Sequence, residues 1–242
     1  MKSFFAILFL GFFLSAHAIG VSNTIHKLDF HKVDNKSSLC LGCNSFINAG
    51  INQLLNTILK SGIIGGCSEL CSKAFPNDKS EENICNLVCD SVGVLSFMQL
   101  IKKFQGDLDS IYFCQLAHVC PIRDGGAARL DSISVSPQVG HQGATFEIDV
   151  VFSVLNHTST GELQIEITPP KSTAIMDGTI NEGYAPGQYS VKFQLDTHPT
   201  EQETFESGSY QVQFSACDGE CGSKFPHTAL LFSGITNFTI QS

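Results

Sequence analysis

Cysteine spacing constrains this chain more than any other feature of its sequence. Eight of the ten cysteines lie between Cys40 and Cys120, and the other two are Cys217 and Cys221. An even number of cysteines predicts a disulfide framework in an oxidising compartment, here of five bonds. The alternative is zinc, because a Cys-x-x-Cys pair also suits a tetrahedral metal site.

The N-terminus favours disulfides over zinc, because it has the pattern of a secretory signal peptide. Lys2 is followed by an apolar run from Phe4 to Leu14 and then by the small-residue site Ser15-Ala16-His17-Ala18. A transmembrane helix needs about 20 apolar residues, more than this run offers, and no later segment has that length. We expect cleavage after Ala18 and a secreted, extracellular protein with no transmembrane segment.

Three Asn-x-Ser/Thr sequons agree with secretion. They begin at Asn35, Asn156 and Asn237, and each is a candidate site of N-linked glycosylation.

The periodicity of apolar residues changes once along the chain and divides it into parts. Three- and four-residue steps before Pro121 predict four helices, whereas strict alternation, as in Phe146-Glu147-Ile148-Asp149-Val150, predicts strands after it. The predicted division is a signal peptide at 1–18, a polar segment at 19–39, a helical domain at 40–121, a linker at 122–126 and a strand domain at 127–242.

The strand domain has room for about seven strands separated by Gly and Pro turns, which predicts an all-β immunoglobulin-like sandwich. The chain has no Trp, so this prediction concerns the architecture and not the hallmark residues of antibody domains.

The two central cysteine pairs each have the i, i+4 spacing that places side chains on one face of a helix. If the second and third helices form an antiparallel hairpin, Cys71 faces Cys85 and Cys67 faces Cys89. Cys40, Cys43, Cys114 and Cys120 then remain at the two ends of the domain, where counting alone does not choose their pairing.

The whole helical domain resembles the saposin B-type family. The resemblance rests on Cys40-Leu41-Gly42-Cys43, a long helix, the central cysteines and the final run from Cys114 to Cys120. It implies an all-α, disulfide-stapled four-helix fold whose ends are tied by two nested bonds, Cys40–Cys120 and Cys43–Cys114. The Cys67–Cys89 bond is an addition to that family's pattern.

The complete architecture is similar to the countin family of social amoebae. That resemblance rests on the order of signal, helical domain and strand domain, and on the C-terminal loop Cys217-Asp218-Gly219-Glu220-Cys221-Gly222. It implies a secreted signalling component of a cell-number-sensing complex, which regulates group size in multicellular development through adhesion and motility. Its partners would be other secreted subunits or a cell-surface receptor.

The sequence contains no catalytic motif that we could recognise. It has no Gly-x-Ser-x-Gly elbow, no His-Glu-x-x-His pair and no phosphate-binding glycine loop, and its histidines lack zinc-ligand spacing. We therefore expect no enzyme activity, no cofactor and no metal. The net charge of −9 argues against nucleic acid as a partner.

Two other functions remain open at this point. One is a saposin-like, lipid-binding or membrane-perturbing protein similar to amoebapores, and the other is an accessory protein that presents lipid to a hydrolase. For the signalling function, the bridged loop from Cys217 to Cys221 is the candidate contact site, because a rigid loop loses less entropy on binding.

Overall fold

The computed structural model describes residues 22–27, 39–61, 64–104, 106, 108–171, 173–200 and 204–242. The predicted signal peptide at 1–18 and the sequon at Asn35 lie outside these residues, as does most of the polar segment 19–39.

A helical unit follows the first described strand. Its helices are α1 (Leu39–Ser61), α2 (Cys67–Ala74), α3 (Lys79–Val92), α4 (Val94–Lys103) and α5 (Ser110–Leu116). Apolar residues of α1 recur at three- and four-residue steps and form a stripe that is buried in the core of the unit, including Phe46, Ile51 and Leu54. Leu59 continues this spacing but is 70% exposed.

Local residues define where α3 begins and ends. The carboxylate of Asp78 accepts hydrogen bonds from the backbone N–H groups of Ser80 and Glu81, as an N-cap residue does. Gly93 ends the helix with φ at 80°, a value that glycine tolerates best. The axes of α3 and α4 consequently differ by 105°.

The described strands form two sheets. Their bounds are β1 (Ser22–Lys27), β2 (Ala127–Ser136), β3 (Val139–His141), β4 (Thr145–Asn156), β5 (Gly161–Thr168), β6 (Ile175–Asn181), β7 (Gly187–Asp196), β8 (Gly208–Asp218) and β9 (Ala229–Gln241). The strand order is β1-β7-β4-β2 in one sheet and β3-β9-β8-β5-β6 in the other. Neighbouring strands are antiparallel except for β3 and β9, which are parallel.

The alternating residues of the central strands form the core between the sheets. Alternate residues of β4, β5 and β7 are buried, as expected for strands with one face in a core. β8 alternates as far as Phe214, and its last residues, Ser215 to Asp218, are all buried. Aromatic side chains fill much of this space; the rings of Tyr210 and Phe238, for example, stack with their centroids 4.9 Å apart.

The predicted fold class, an all-α saposin-like four-helix domain followed by an all-β immunoglobulin-like sandwich, is wrong. The described part of the helical unit has five helices, because Gly93 separates α3 from α4. The first half is not all-α, because β1 precedes the helices and pairs with β7. One of the two sheets therefore combines β1, which precedes the helical unit in the sequence, with strands that follow it.

None of the described helices is by itself long and apolar enough to cross a membrane. The bent pair of α3 and α4 passes that test only when the two are taken together, on length and composition.

Candidate functional site at the junction of helices and sheets

Five disulfide bonds join the same cysteine pairs that we expected from the spacing and the resemblance. Four of them lie in the helical unit: Cys40–Cys120, Cys43–Cys114, Cys67–Cys89 and Cys71–Cys85. The fifth, Cys217–Cys221, closes a short loop at the end of β8. All ten cysteines are bonded in this way.

The loop from Cys217 to Cys221 packs against the start of β5. The N–H of Cys221 donates to Glu162 Oε2 at 2.8 Å, and the N–H of Gly219 donates to the carbonyl of Thr160 at 2.9 Å. Gly161 has no room for a side chain, because an added Cβ would collide with the backbone carbonyl of Cys217.

The chain after this loop reaches the helical unit. The ring of Phe225 stacks on Tyr112 with a centroid distance of 5.0 Å and also contacts Phe104 at 5.3 Å. Ser223 Oγ donates to Asp109 Oδ2 at 2.6 Å. We call residues 217–228 the junction loop, because they extend from a sheet to the helices. Within it, the bridged loop 217–221, which we expected to contact partners, packs against β5 of the same chain.

Asp109 links the junction loop to the start of α5. Its second oxygen, Oδ1, accepts the N–H of Tyr112 at 2.7 Å as the N-cap of that helix. The residue is 2% exposed. The carboxylate of Asp109 therefore stabilises the N-terminal end of α5 and also accepts a hydrogen bond from the junction loop, which Tyr112 contacts as well.

A run of three buried hydroxyl residues, Thr158, Ser159 and Thr160, forms the other part of the junction. The hydroxyl groups of Ser159 and Thr160 both donate to the carbonyl of Pro121, at 3.1 and 3.2 Å. Thr160 Oγ1 also lies 3.7 Å from the sulfur of Cys40. These contacts place the end of the helical unit directly against the β4–β5 connection.

Two carboxyl groups at the junction hold their protons more tightly than usual. Burial raises the pKa of Glu162, against the opposing effect of the hydrogen bond from Cys221 N–H, and the charge of Asp109 raises it further. Burial likewise raises the pKa of Asp218, although Ser159 N–H donates to this carboxylate at 2.8 Å, and the charge of Asp124 adds to the shift.

The carboxylates of the junction have structural roles. Asp109, Glu162 and Asp218 each accept hydrogen bonds from backbone groups of the fold. Among the residues with described positions, no group of three or more His, Cys, Asp or Glu side chains is placed to hold a metal ion. The arrangement orders the junction loop and joins the two units.

The two described sequons lie at exposed positions. Asn156 is the last residue of β4, and Asn237 is in the middle of β9. Glycosylation of these residues and of Asn35 stays a prediction.

The space between the sheets leaves little room for a ligand. The cavity bounded by residues such as Phe152, Leu163 and Tyr184 has a volume of about 10 Å³, which is the size of about one water molecule. Open clefts lie on the helical unit, for example one of about 580 Å³ beside Leu100, Lys103 and His118.

Sequence reasoning missed the junction. Phe225 is an isolated aromatic residue in a loop, and Thr158, Ser159 and Thr160 have the composition of an exposed turn. The isolated aromatic residue after a bridged loop was the only available signal.

The fold and the junction define a class: a disulfide-bonded protein in which a helical unit packs against a two-sheet unit. Comparison with known proteins identifies the family to which the chain belongs. Residues 38–118 match the family model for the countin N-terminal domain, and residues 128–242 match that for the countin C-terminal domain. The chain belongs to the countin family.

Two relatives from Dictyostelium discoideum illustrate this similarity. The chain is 41% identical to Countin-1 over 84% of its own length and 77% of that protein, and 36% identical to Countin-2 over 87% and 82%. The saposin B-type resemblance is not supported, because the first unit matches the countin model.

Among solved structures, the match to the alkylpurine DNA glycosylase AlkC from Pseudomonas fluorescens has a TM-score of 0.37 at 10% identity. It covers 72% of this chain and 46% of that one. A likeness this weak carries no argument about fold or function.

Proposed function

We propose that the protein is a secreted, non-enzymatic signalling subunit that takes part in sensing cell number and thereby regulates group size during multicellular development. The observation that carries the proposal is membership of the countin family over both units. The function itself is what the resemblance to countins implies, with effects on adhesion and motility.

Secretion is part of the proposal, and two features support it. The first eighteen residues have the composition of a signal peptide. All ten cysteines are paired, and bonds of this kind persist in oxidising compartments such as the extracellular space.

Action through binding rather than catalysis is also part of the proposal. The buried carboxylates of Asp109 and Asp218 accept hydrogen bonds that hold the junction together, and the cavity between the sheets has a volume of only about 10 Å³. We propose that the partners are other secreted subunits or a cell-surface receptor.

The test combines the state of the native protein with its activity. We expect the protein in conditioned medium to elute from a size-exclusion column at an apparent mass well above the 26.2 kDa of the chain, and to co-elute with other proteins. Deleting the gene should change group size, and adding back the purified protein should restore it.

A matched variant separates signalling from any general effect of added protein. Replacing Cys43 and Cys114 by Ala disrupts the helical unit, and the preparation should then fail to restore group size at equal concentration. A monomer in conditioned medium, together with normal group size and adhesion after deletion, would contradict the proposal.

A further inference from the structure

The edge of the first sheet is covered by a strand that is poorly matched to it. β1 pairs with β7 over six residues, from Ser22 opposite Gln194 to Lys27 opposite Tyr189. β1 is at the end of the strand order β1-β7-β4-β2, so among the described strands it is the one that lies between β7 and the open edge of the sheet.

The pairing shows which positions of β1 share a row with the core. Directly opposite residues of an antiparallel pair lie on the same face of the sheet. Asn23, Ile25 and Lys27 stand opposite Phe193, Val191 and Tyr189 respectively, and those three residues of β7 are buried.

β4, the neighbour of β7 on its other side, shows which residues stand opposite the same three positions of β7. β4 supplies Ile148 opposite Phe193, Val150 opposite Val191 and Phe152 opposite Tyr189, and all three are buried. β1 has an apolar residue type in only one of its three corresponding positions.

We infer that the β7 edge is a binding site for an extended segment of a partner protein, and that β1 is a displaceable cover of that site. The segment that fits would carry apolar residues at alternate positions, so that each core-side row of β7 gains an apolar neighbour. An added strand of this kind obtains affinity from backbone hydrogen bonds and specificity from its alternate side chains.

The polar residue types of β1 suit a cover. Polar or charged residue types in an edge strand oppose unwanted pairing with other chains. The cover thus protects the sheet, and its weak match to β7 lets a better-matched strand replace it. Assigning that strand to another secreted subunit rests on the proposed function, whereas strand binding by the isolated chain does not.

The test uses the full mature chain and a synthetic peptide. The probe is a fluorescently labelled peptide with the sequence of residues 21–28 carrying Asn23→Val and Lys27→Val, and its control also carries Ile25→Pro. Three proteins are compared: wild type, the opened variant Ile25→Pro, and the tightened variant Asn23→Val with Lys27→Val. Circular dichroism establishes that each is folded.

We expect the probe to bind the opened variant at least tenfold more tightly than wild type and the tightened variant at least tenfold more weakly. The control peptide should bind none of them. Equal affinity for all three proteins, or no binding to any, would overturn the inference. Dimerisation of the opened variant on size exclusion, with no binding of the probe, would assign the edge to a second copy and also overturn it.

Because the probe assay needs no other subunit, it can fail while the add-back experiment succeeds, and the reverse also holds. The two results therefore test the edge site and the signalling function separately.

Discussion

The helical unit and the sheet unit are stabilised in different ways. Four disulfides cross-link the helices between Cys40 and Cys120, and their half-cystines are buried in the core. The sheet unit has one disulfide that spans four residues, and its core is built from apolar strand residues such as Val150, Phe193 and Phe214. Both units have an apolar core, but the helical unit is also cross-linked by four bonds, so we expect the helices to need their disulfides more than the sandwich needs its one.

The largest effect should come from removing a bond of the helical unit. Taken alone, a disulfide across 71 residues such as Cys43–Cys114 would contribute about 4 kcal/mol, but Cys40–Cys120 encloses it, so the loop that it still closes has roughly ten residues and is worth about 3 kcal/mol. Cys217–Cys221, across four residues, contributes about 2 kcal/mol. We expect Cys43→Ala with Cys114→Ala to lower the free energy of unfolding more than Cys217→Ala with Cys221→Ala. Guanidinium titration followed by circular dichroism at 222 nm measures both. Equal losses of unfolding free energy in the two double variants would contradict the idea that the two units are stabilised in different ways.

The junction loop should matter next. Phe225→Ala removes the ring that stacks on Tyr112 and contacts Phe104. Since Phe225 is half-buried, we expect a loss of about 2 kcal/mol, below the range for a fully buried Phe. The matched control is Ile235→Ala on β9, which is 55% exposed and should change stability by less than about 0.5 kcal/mol. Similar small losses for both variants would mean that the loop does not hold the units together.

Limited proteolysis sharpens the division into units. The change from helical to strand periodicity near residues 122–126 predicts that trypsin cleaves at Arg123 or Arg129 and gives two stable products. Arg129 lies within β2, paired with Ser153, so Arg123 is now the preferred position. Because β1 belongs to the N-terminal product but pairs with β7, and Phe225 of the C-terminal product stacks on Tyr112 of the N-terminal one, the two products should elute together on size exclusion and separate in denaturant. Separate elution without denaturant would contradict these contacts between the units.

The smallest effect concerns one carboxyl at the junction. The pKa of Asp218 is raised by burial, so its ionised form destabilises the folded state at neutral pH. The penalty is relieved as pH falls through the raised pKa, and it is absent below the unfolded value of 3.8. Asp218→Asn should therefore be more stable than wild type at pH 7, and this advantage should vanish in acid. Thermal unfolding across pH measures the difference.

Asp131 is the control, because its pKa is shifted in the opposite direction to that of Asp218. Hydrogen bonds from Ser153 and Gln188 lower its pKa, so its ionised form stabilises the fold above the unfolded value, and this contribution is lost as pH falls through the lowered pKa. Asp131→Asn should be less stable than wild type at pH 7. An advantage for Asp218→Asn that persists at low pH would show that its effect is not electrostatic.

The local patterns of the sequence were readable, and the contacts between distant segments were not. The stripe with Phe46 and Ile51 and the alternation of Phe146, Ile148 and Val150 follow from the periods of helix and strand. The cysteine pairs were accessible because spacing and resemblance limited the choices. Leu59 shows the limit of periodicity, because no residue of the described part of the chain packs over it closely enough to bury it.

β1 and the junction were not predicted, for physical reasons. Ser22–Lys27 contains one strongly apolar residue, Ile25, so its strand depends on the edge of β7 rather than on its own pattern. Ser159 and Thr160 are buried because Pro121 and Asp218 satisfy their polar groups, and such long-range partners leave no signal in the local sequence.

The most direct test of the account is hydrogen exchange by mass spectrometry on the intact chain, before and after reduction of its disulfides. We predict that reduction abolishes protection of the backbone amides in α1, α3 and α5, while those of β4, β5 and β8 stay protected. Helices that keep their protection after reduction, or sheets that lose theirs at the same time, would contradict the claim that covalent bonds stabilise the helical unit and an apolar core the sheet unit.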